Sequence, residues 1–279
     1  MGYKFGLIGH PISHSLSPWM QTKFIELAQV NGEYKLYQGS PDELENVIKH
    51  LREMEIDGFN VTVPYKQVII DYLDELDADA AKLGAVNTVV LRDGKWVGYS
   101  TDGEGYVQSV KEKYPNLLKR DISVLLLGAG GAARGIYRSL VQQNITHIDI
   151  ANRSLNNAES LLSLKESDTL TSVLSFKEAE ENLSTYDLII QTTSVGMKPN
   201  VQDQVIQLNN IKENAVVSDI VYQPIETKIL KEAQNNGAYV HYGHSMLIYQ
   251  GQKAFEKWTG INLEVNHLTD ELEQKLRGE

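Results

Sequence analysis

A glycine-rich turn between an apolar run and a helical pattern constrains the fold of this chain more than any other feature. The run Ser123–Leu127 has the length of a buried strand, and it leads into the turn Gly128-Ala129-Gly130-Gly131. A helical pattern follows from Ala132 to Gln143, with Ala133 at the third small position of a G-x-G-x-x-G/A fingerprint. The first glycine permits the tight turn, the second lets a pyrophosphate approach the backbone, and the helix N-terminus offers N–H groups to phosphate. Strand, turn and helix together predict a dinucleotide site.

Strand and helix patterns alternate along the chain, which predicts an α/β fold. The predicted strands are Tyr3–Gly9, Tyr34–Gly39, Gly58–Val63, Asn87–Arg92, Lys95–Ser100, Ile122–Leu127, His147–Ala151, Leu170–Ser175, Asp187–Gln191, Val216–Asp219 and Ala238–His241. The predicted helices include Ser17–Gln29, Pro41–Met54, Val68–Leu73, Ala78–Leu83, Glu104–Tyr114, Ala132–Gln143, Met246–Trp258 and Leu268–Leu276. In the second part the longer βα alternation predicts a parallel, doubly wound sheet.

The length of the chain and the position of the glycine turn predict two domains. A chain of 279 residues is long for a single core. We expect an N-terminal α/β domain at 1–103 and a Rossmann-type dinucleotide-binding domain at 104–243. The C-terminal helices are expected to return to the first domain, so that residues 244–279 complete it.

The charge balance and residue content argue against several classes of partner. The formal net charge is −11, which disfavours nucleic acid and anionic membranes because both recruit basic surfaces. No apolar run approaches the ~20 residues that a membrane-spanning helix needs, and the chain starts with a strand pattern rather than a signal peptide. There is no cysteine, so a disulfide framework, a thiolate nucleophile and a cysteine metal site are excluded. We therefore expect a cytoplasmic protein that binds neither nucleic acid nor membrane.

The exit of the second strand of the dinucleotide domain indicates which cofactor it prefers. In NAD-binding proteins an acidic residue at this exit binds the ribose 2′-hydroxyl. Here the strand ends in Asn152-Arg153-Ser154, where Arg153 could meet a 2′-phosphate. Asp149 lies within the strand rather than at its exit. Arg153 could instead be an ordinary solvated charge after a strand. Its position at the strand exit nevertheless favours NADP(H) over NAD(H) as the cofactor.

A loop rich in hydroxyl groups follows the first strand. Ser15 and Ser17 lie where this loop enters a helix, so they could bind a carboxylate or a polyol with help from the helix N-terminus. The alternative is a capping loop with Ser17 as the N-cap. His10 and His14 have no third ligand nearby, so we interpret them as structural and expect no metal.

Polar and charged side chains also lie near the ends of three further strands. Asn60 and Thr62 share one face of a strand, and Lys66 follows shortly after its end. Asn87 stands where the hairpin begins, and Asp102 follows its second strand. Each such charge taken singly is ordinarily a surface group, but ligands of α/β sheets bind at these positions. Together they predict a polar pocket with one ammonium and one carboxylate, in which the lysine can act as an acid or a base.

Two later loops suit the neighbourhood of a nicotinamide, although turn chemistry alone would explain their glycine and proline. The first follows a strand and runs from Gln191 to Met197, and the second runs from Ser218 to Pro224. Gln250 is one polar group on the apolar helix that starts at Met246, where it would ordinarily face solvent.

In this order the motifs closely resemble those of the shikimate dehydrogenase family, over nearly the whole chain. A single motif would be weak, but the ordered series is highly specific. The matching segments are Ser15–Pro18, Asn60–Lys66, Gly84–Thr88, Thr101–Gly103, Gly128–Gly135, Asn152–Ser154, Thr193–Met197 and Ala254–Phe255.

The resemblance implies an enzyme that reversibly reduces 3-dehydroshikimate to shikimate with NADPH, in the pathway to chorismate and the aromatic amino acids. It makes 1–103 the substrate-binding and catalytic domain and 104–243 the NADP-binding domain. Lys66 and Asp102 match the catalytic pair, with Lys66 giving a proton to the C3 oxygen and Asp102 orienting it. The implied substrate-binding residues are Ser15, Ser17, Asn60, Thr62, Lys66, Asn87, Asp102, Tyr222 and Gln250. The implied cofactor-binding residues are Gly128, Ala129, Gly130, Gly131, Ala132, Asn152, Arg153, Ser154, Thr192, Ser194, Met197, Ile220 and Gly243.

The chain departs from the family pattern at two places. The family often carries a second basic residue a few positions beyond the arginine, where this chain has Asn156-Asn157. The family usually has a glycine-rich turn before the last long helix, where this chain has Gly243-His244-Ser245.

Three other functions stay open at this point. The nearest is a quinate or dual quinate/shikimate dehydrogenase that uses NAD, against which the serine pair and Arg153 argue. A non-catalytic metabolite sensor on the same fold is a second, against which Lys66 and Asp102 argue. A dinucleotide reductase for another substrate would leave the first hundred residues unexplained. The protein is expected to be a monomer or a homodimer.

Overall fold

The structure, a computed structural model, describes residues 2–278 and divides into two compact units. Unit 1 comprises the chain up to Thr101 together with Gln250–Val265. Unit 2 comprises Asp102–Tyr249 together with the chain from Asn266 onward. Helices and strands alternate in both units, which confirms the predicted α/β fold.

Unit 1 is built on a mixed sheet. Its strands are β1 (Tyr3–Gly9), β2 (Gly32–Gln38), β3 (Gly58–Val61), β4 (Glu75–Leu76), β5 (Thr88–Arg92) and β6 (Lys95–Tyr99), and its helices are α1 (Ser17–Leu27), α2 (Leu44–Glu53) and α3 (Ala78–Leu83). The order in the sheet is β2-β1-β3-β5-β6-β4, with β1 parallel to β2 and β3, and β5 antiparallel to β3 and β6. The carboxyl ends of β1, β3 and β6 and the start of β5 therefore meet at one edge. The predicted polar loops of this unit all start or end there.

The segment 250–265 belongs to unit 1 because its aromatic side chains complete the core of that unit. Phe5 stacks on Trp258 with ring centroids 4.6 Å apart, and the Trp258 indole N–H donates to the Val89 carbonyl oxygen at 2.9 Å. A Cβ atom at Gly58 would lie 2.3 Å from the Trp258 ring, so this strand position accepts only glycine. The close approach fixes the end of the long helix against the sheet.

Unit 2 is a parallel sheet with helices between its strands. The strands are β7 (Ser123–Leu127), β8 (His147–Ala151), β9 (Val173–Leu174), β10 (Leu188–Gln191), β11 (Val216–Asp219) and β12 (Tyr239–Tyr242). The helices are α4 (Asp102–Lys113), α5 (Gly131–Gln142), α6 (Leu155–Glu159), α7 (Phe176–Glu181), α8 (Lys228–Asn235), α9 (Gly243–Thr259) and α10 (Asn266–Arg277), of which α9 continues into unit 1. The order β12-β11-β10-β7-β8-β9 reverses direction at β7, and dinucleotides bind at such a reversal. The predicted doubly wound sheet is therefore present.

The terminal helix α10 corrects the expected domain layout. Residues 244–279 were expected to complete the first domain, but only 250–265 do so. Leu268 and Leu272 of α10 are buried, and Arg277 forms an ion pair with Glu226 of unit 2 at 3.2 Å. The helix therefore packs on the dinucleotide unit, and the break after Thr101 falls two residues before the expected boundary.

Smaller differences concern short elements. The predicted strand Leu170–Ser175 is reduced to Val173–Leu174, with Leu170 forming a single bridge to His147. The strand Glu75–Leu76 and the start of α4 at Asp102 were not anticipated. A two-residue strand carries too little pattern to be read from sequence. Within residues 2–278, no helix is both long enough and apolar enough to cross a lipid bilayer.

Candidate active site and cofactor site

The glycine turn after β7 has the geometry that its sequence predicted. Gly128 has φ +114°, and a Cβ atom there would lie 2.6 Å from the Thr192 hydroxyl oxygen, so a side chain is excluded on two grounds. The Gly128 N–H donates to the Ala151 carbonyl oxygen at 2.8 Å, and the Thr192 hydroxyl donates to the Leu127 carbonyl oxygen at 2.7 Å. The turn is thus held from β8 on one side and from the loop after β10 on the other.

The start of α5 fits the pyrophosphate of a dinucleotide. Cβ atoms at Gly130 and Gly131 would meet no heavy atom within 4 Å, so the backbone here is open to an approaching group. Gly130 is the N-cap of α5 and has no side chain to accept hydrogen bonds from the first N–H groups. Ala133, in contrast, is fully buried against the sheet. The residues present therefore suit a phosphate at a helix N-terminus.

A second glycine contact brings α4 close to α5. A Cβ atom at Gly103 would lie 2.1 Å from the Gly135 carbonyl oxygen, so the two helices approach this closely only because residue 103 is glycine. Asp102 precedes this contact as the first residue of α4, and its side chain is buried. Asp102 was predicted at a strand exit, and the helix crossing that positions it has no signal in the local sequence.

The exit of β8 presents Arg153 to solvent. Arg153 is exposed, whereas the Asn152 side chain is turned back onto its own loop and donates to the Ser154 carbonyl oxygen at 2.8 Å. Asp149 is occupied elsewhere, since its carboxylate accepts from the Ser172 N–H at 2.8 Å and from the Tyr186 hydroxyl at 2.9 Å. The Asp149 carboxylate thus ties β8 to neighbouring segments of unit 2.

Gln191 and Asp219 join the loops that follow β10 and β11. The Gln191 amide donates to the Asp219 carboxylate at 3.0 Å, and the Thr227 hydroxyl donates to the same carboxylate at 2.6 Å. Burial raises the pKa of the Asp219 carboxyl to about 7, against the lowering effect of its hydrogen bonds from Thr227, Val221 and Gln191. Sequence reasoning did not single out this carboxylate, although it stands at the carboxyl end of a central strand.

The residues predicted near the nicotinamide lie in and beside these two loops. Met197 is 47% exposed, and its N–H donates to the Ser194 carbonyl oxygen at 3.2 Å. A Cβ atom at Gly243 would lie 2.4 Å from the Ile220 carbonyl oxygen, so the start of α9 packs closely against the residue that follows β11. Tyr222 is half-buried, and burial raises the pKa of its hydroxyl.

In unit 1, the two serines occupy the turn that enters α1. The helix begins at Ser17 itself, and the residue before it, Leu16, is the N-cap and makes no side-chain capping bond. The alternative in which Ser17 is the N-cap is therefore wrong. The Ser15 hydroxyl instead accepts from the Ser17 N–H at 3.2 Å, because it is the residue that faces the first helical N–H group.

A network of buried hydrogen bonds joins the predicted amides of unit 1. The Tyr34 hydroxyl donates to Asn60 Oδ1 at 2.8 Å, while Asn60 Nδ2 donates to the Asn87 carbonyl oxygen and to the Thr88 hydroxyl, each at 3.2 Å. Asn87 Nδ2 in turn donates to the Thr101 hydroxyl at 2.9 Å. Both amide atoms of Asn60 are therefore bonded within the protein. Burial raises the pKa of Tyr34, so its hydroxyl stays protonated as a donor.

Thr101 connects this network to Gln250. The Thr101 N–H donates to Asn87 Oδ1 at 2.8 Å, and its hydroxyl donates to the Gln250 carbonyl oxygen at 3.0 Å. Asn87 Nδ2 also reaches Gln250 Oε1 at 3.4 Å. Gln250 is thus part of the polar cluster rather than a plain solvent-facing residue. Tyr34 was not predicted, since a tyrosine in a strand carries no distinctive signal, and Thr101 lies in a matching segment but was given no role of its own.

Lys66 and Thr62 stand on the loop that leaves β3. The Val86 N–H donates to the Lys66 carbonyl oxygen at 2.7 Å, which ties this loop to the start of the hairpin. The Thr62 N–H donates to the Ile8 carbonyl oxygen at 2.9 Å, and its methyl group packs where a Cβ of Gly9 would stand. Both side chains are half-buried.

The predicted residues divide between the units. Unit 1 carries Ser15, Ser17, Asn60, Thr62, Lys66, Asn87 and Gln250, whereas unit 2 carries Asp102, Tyr222 and every residue predicted to bind the cofactor. Among the described residues, no three His, Asp or Glu side chains stand close enough together to hold a metal ion.

Three family models match successive parts of the chain. Residues 7–89 match the shikimate dehydrogenase substrate binding domain, residues 109–239 match shikimate / quinate 5-dehydrogenase, and residues 243–269 match the shikimate 5′-dehydrogenase C-terminal domain. The matches follow the order of the two units and of the C-terminal helices.

Individual proteins are similar over the whole chain. The NADP(+)-dependent shikimate dehydrogenase of Oceanobacillus iheyensis is 48% identical over 98% of both chains. The shikimate 5-dehydrogenase of Listeria monocytogenes, solved in complex with shikimate and NAD, is 31% identical with a TM-score of 0.89, over 97% of this chain and 96% of that one. The shikimate 5-dehydrogenase of Thermus thermophilus, solved with NADP(H) and shikimate, is 28% identical with a TM-score of 0.85, over 99% of each chain.

Proposed function

Since the chain belongs to the shikimate dehydrogenase family, we propose that it catalyses the NADPH-dependent, reversible reduction of 3-dehydroshikimate to shikimate. This reaction supplies the pathway to chorismate and the aromatic amino acids. The observation that carries the proposal is the polar cluster of unit 1, in which Asn60, Asn87 and Gln250 are joined by hydrogen bonds. A polyol carboxylate needs such a concentration of fixed polar groups, and hydride transfer needs no protein nucleophile or metal.

The substrate would be held mainly by unit 1. Ser15 and Ser17 would bind the carboxylate, beside the first turn of α1 where a negative charge is favourable. Thr62, Asn87 and Gln250 would surround the ring hydroxyls, with Tyr222 contributing from unit 2. Asn60 supports this set indirectly, because its amide atoms are engaged with Tyr34, Thr88 and the Asn87 backbone.

Lys66 and Asp102 form the proposed catalytic pair, on the strength of the family motif. In the reducing direction the Lys66 ammonium gives a proton to the C3 oxygen, and in the oxidising direction its amine takes the proton back. Asp102 orients the lysine and the reacting hydroxyl. When bound, the nicotinamide supplies or accepts the hydride at C3.

NADP(H) is the proposed cofactor, and unit 2 would bind it. The glycine turn from Gly128 to Ala132 would bind the pyrophosphate through backbone N–H groups. Asn152, Arg153 and Ser154 would meet the adenosine ribose and its 2′-phosphate. Thr192, Ser194, Met197, Ile220 and Gly243 would line the nicotinamide end.

The test is an absorbance assay at the NADPH band with shikimate and NADP⁺ as reactants, applied to the wild type and to Lys66→Ala. We expect turnover of the variant to fall by at least about a hundredfold, the usual scale of general acid–base catalysis, while shikimate binding survives in part. Lys95→Ala is the matched control, since Lys95 is an exposed lysine of the same unit that pairs with Glu75. Unchanged turnover in Lys66→Ala would refute the catalytic role.

A quinate or dual-specificity dehydrogenase that uses NAD is the second candidate, since the family model for residues 109–239 covers both substrates. Arg153 at the β8 exit and the serine pair favour shikimate and NADP. Kinetics with shikimate and quinate, each with NADP⁺ and NAD⁺, separates the two. A clear preference for quinate with NAD⁺ would overturn the proposal, and shikimate binding without turnover would favour a sensor.

The proposal extends to the cellular location, the oligomeric state and the partners of the enzyme. We propose a cytoplasmic enzyme that acts as a monomer or a homodimer and binds neither nucleic acid nor membranes. The net charge of −11 supports the last point. Size-exclusion chromatography with light scattering gives the oligomeric state directly.

A further inference from the structure

At the β8 exit, where the 2′-phosphate of NADP is proposed to bind, the sequence supplies a single positive charge. A phosphate monoester carries nearly two negative charges at neutral pH. Arg153 is the one basic residue at the β8 exit, and the positions that follow in α6 are Asn156 and Asn157. A second positive charge would have to come from another element of unit 2.

The first turn of α5 brings an arginine to this segment. Arg134 follows the glycine turn, and its Nη1 donates to the Ser160 hydroxyl oxygen at 3.2 Å. The Ser160 hydroxyl in turn donates to the Asn157 carbonyl oxygen at 2.7 Å. Two successive hydrogen bonds thus join the Arg134 guanidinium to the residue where the family often has a basic side chain.

The environment of Arg134 suits a contact with phosphate. Its side chain is half-buried, and burial lowers the pKa of the guanidinium, which nevertheless stays charged at neutral pH. An ionic hydrogen bond is stronger where water is partly excluded. The guanidinium also offers several N–H donors, so that it can bind a phosphate while retaining the Ser160 contact.

We propose that Arg134 is a specificity-determining residue for NADP(H), supplying from α5 the second cation for the adenosine 2′-phosphate in place of the basic residue absent at 156–157. Arg153 and Arg134 then approach the phosphate from two different elements, the β8 exit and the first turn of α5. The inference rests on the proposed cofactor, and it gives a role to Arg134, which lies within the matching segment Gly128–Gly135 but is not among the implied cofactor-binding residues.

The test compares ligands that differ only in the 2′-phosphate. Calorimetric titration measures the Kd of NADP⁺, NAD⁺, 2′,5′-ADP and 5′-AMP for the wild type and for Arg134→Gln. We expect the variant to bind NADP⁺ and 2′,5′-ADP about 10- to 100-fold more weakly, the scale of a lost hydrogen bond to a charged group. NAD⁺ and 5′-AMP should change less than about twofold, and Arg134→Lys should restore part of the loss by replacing the charge.

Arg138→Gln is the matched control. Arg138 lies one turn further along α5 and pairs with Glu166 at 2.7 Å, so its loss perturbs the same helix at a different contact. It should leave the ratio of NADP⁺ to NAD⁺ affinity unchanged. An Arg134→Gln variant that weakens NADP⁺ and NAD⁺ equally, or that weakens neither, overturns the proposal.

The design also separates this inference from the proposed reaction. A wild type that prefers 2′,5′-ADP to 5′-AMP, and loses that preference in Arg134→Gln, supports the role of Arg134 even if shikimate is not oxidised. Absence of shikimate turnover would then refute the reaction alone. A wild type with no preference for the 2′-phosphate would refute the inference and the cofactor assignment together.

Discussion

At the scale of single residues, the polar cluster of unit 1 depends on hydrogen-bond partners that come from separate elements. The Oδ1 atom of Asn60 on β3 would be buried without its donor if the Tyr34 hydroxyl from β2 were absent. Burying an amide without partners costs free energy, so each donor in the cluster supports the orientation of the next. Asn87, which we propose as a ligand of the substrate, is oriented at the end of this series by Thr101.

We predict that Tyr34→Phe weakens both the fold and substrate binding. The change leaves Asn60 Oδ1 buried without its donor, which should lower the free energy of unfolding by about 1–3 kcal/mol and raise the KM for shikimate. Chemical denaturation and steady-state kinetics check the two effects. Tyr37→Phe is the control on the same strand, since the Tyr37 hydroxyl donates to the Met54 sulfur at 3.5 Å, which is a weak acceptor. Equal effects of the two changes would contradict the role given to Tyr34.

Asp219 should make stability depend on pH in a defined window. Its pKa is raised to about 7 in the folded protein, against about 4 in the unfolded chain. Between these values the folded state holds a proton that the unfolded state has released, so stability falls as pH rises from about 4 to about 7. The slope is on the order of 1 kcal/mol per pH unit.

The measurement compares the wild type with Asp219→Asn by urea denaturation from pH 5 to pH 8. The amide cannot ionise, so the variant should gain stability relative to the wild type up to about pH 7 and then keep a constant difference. A difference that does not vary with pH would show that Asp219 does not titrate in this window.

At the scale of elements, the β7–α5 turn has two glycines with different physical roles. Gly128 is required by its positive φ and by contact with Thr192, whereas Gly130 has extended backbone and faces open space. The fold therefore needs the first glycine, and we expect the proposed cofactor to need the second. The sequence motif predicted this division, with the first glycine permitting the tight turn and the second the approach of the pyrophosphate.

We predict that Gly128→Ala and Gly130→Ala separate folding from cofactor binding. Gly128→Ala should lower the free energy of unfolding by about 1–3 kcal/mol or more, because overpacking and backbone strain act together. Gly130→Ala should leave stability nearly unchanged but weaken NADP⁺ binding at least about tenfold, because the new methyl group stands where the pyrophosphate approaches. Thermal denaturation and calorimetric titration give the two numbers. Loss of stability in Gly130→Ala would contradict this division.

At the scale of the whole molecule, the chain leaves each unit and returns to it. Unit 1 is completed by residues 250–265, and unit 2 is completed by the chain from Asn266 onward. Both returns are stabilised by buried side chains, Trp258 in the first unit and Leu268 and Leu272 in the second. The C-terminal segment is therefore structural for both units.

We predict that α10 contributes substantially to the stability of unit 2. Leu272 is fully buried, so Leu272→Ala should destabilise the protein by about 2–5 kcal/mol through lost burial and a residual cavity. Gln274→Ala is the control on the same helix, since Gln274 is exposed and should cost less than about 0.5 kcal/mol. Urea denaturation followed by circular dichroism measures both. A small effect of Leu272→Ala would show that α10 is only loosely attached.

Much of the fold could be predicted because its signals are local. The strand, turn and helix around Gly128 lie within about twenty residues, and the predicted doubly wound sheet matches the observed strand order. The errors concern features without local signal. The strand Glu75–Leu76 is too short for a hydrophobic period, and Ser17 and Leu16 compete for the cap position within a single residue.

The site residues likewise fall into those that a local motif identified and those that it did not. Arg153, Lys66, Asn87 and Asp102 were identified from motifs, and their assigned roles remain predictions. Tyr34 was not identified, and Thr101 and Asp219 fell only within longer segments, because their importance lies in contacts with residues far along the chain.

The sequence by itself determined the alternation of strands and helices, the dinucleotide turn, the family and the residues that carry the proposed chemistry, since each of these is written in a short contiguous pattern. Only the tertiary structure decided that α10 packs on unit 2, that Asn60 is held by Tyr34, and that Arg134 reaches the segment beside Asn157. The hydrogen bonds Tyr34–Asn60 and Arg134–Ser160 each join residues 26 positions apart, and the Arg277–Glu226 contact of α10 joins residues 51 positions apart. The side chains involved look ordinary in sequence, and their roles are set by packing and by the satisfaction of buried polar groups.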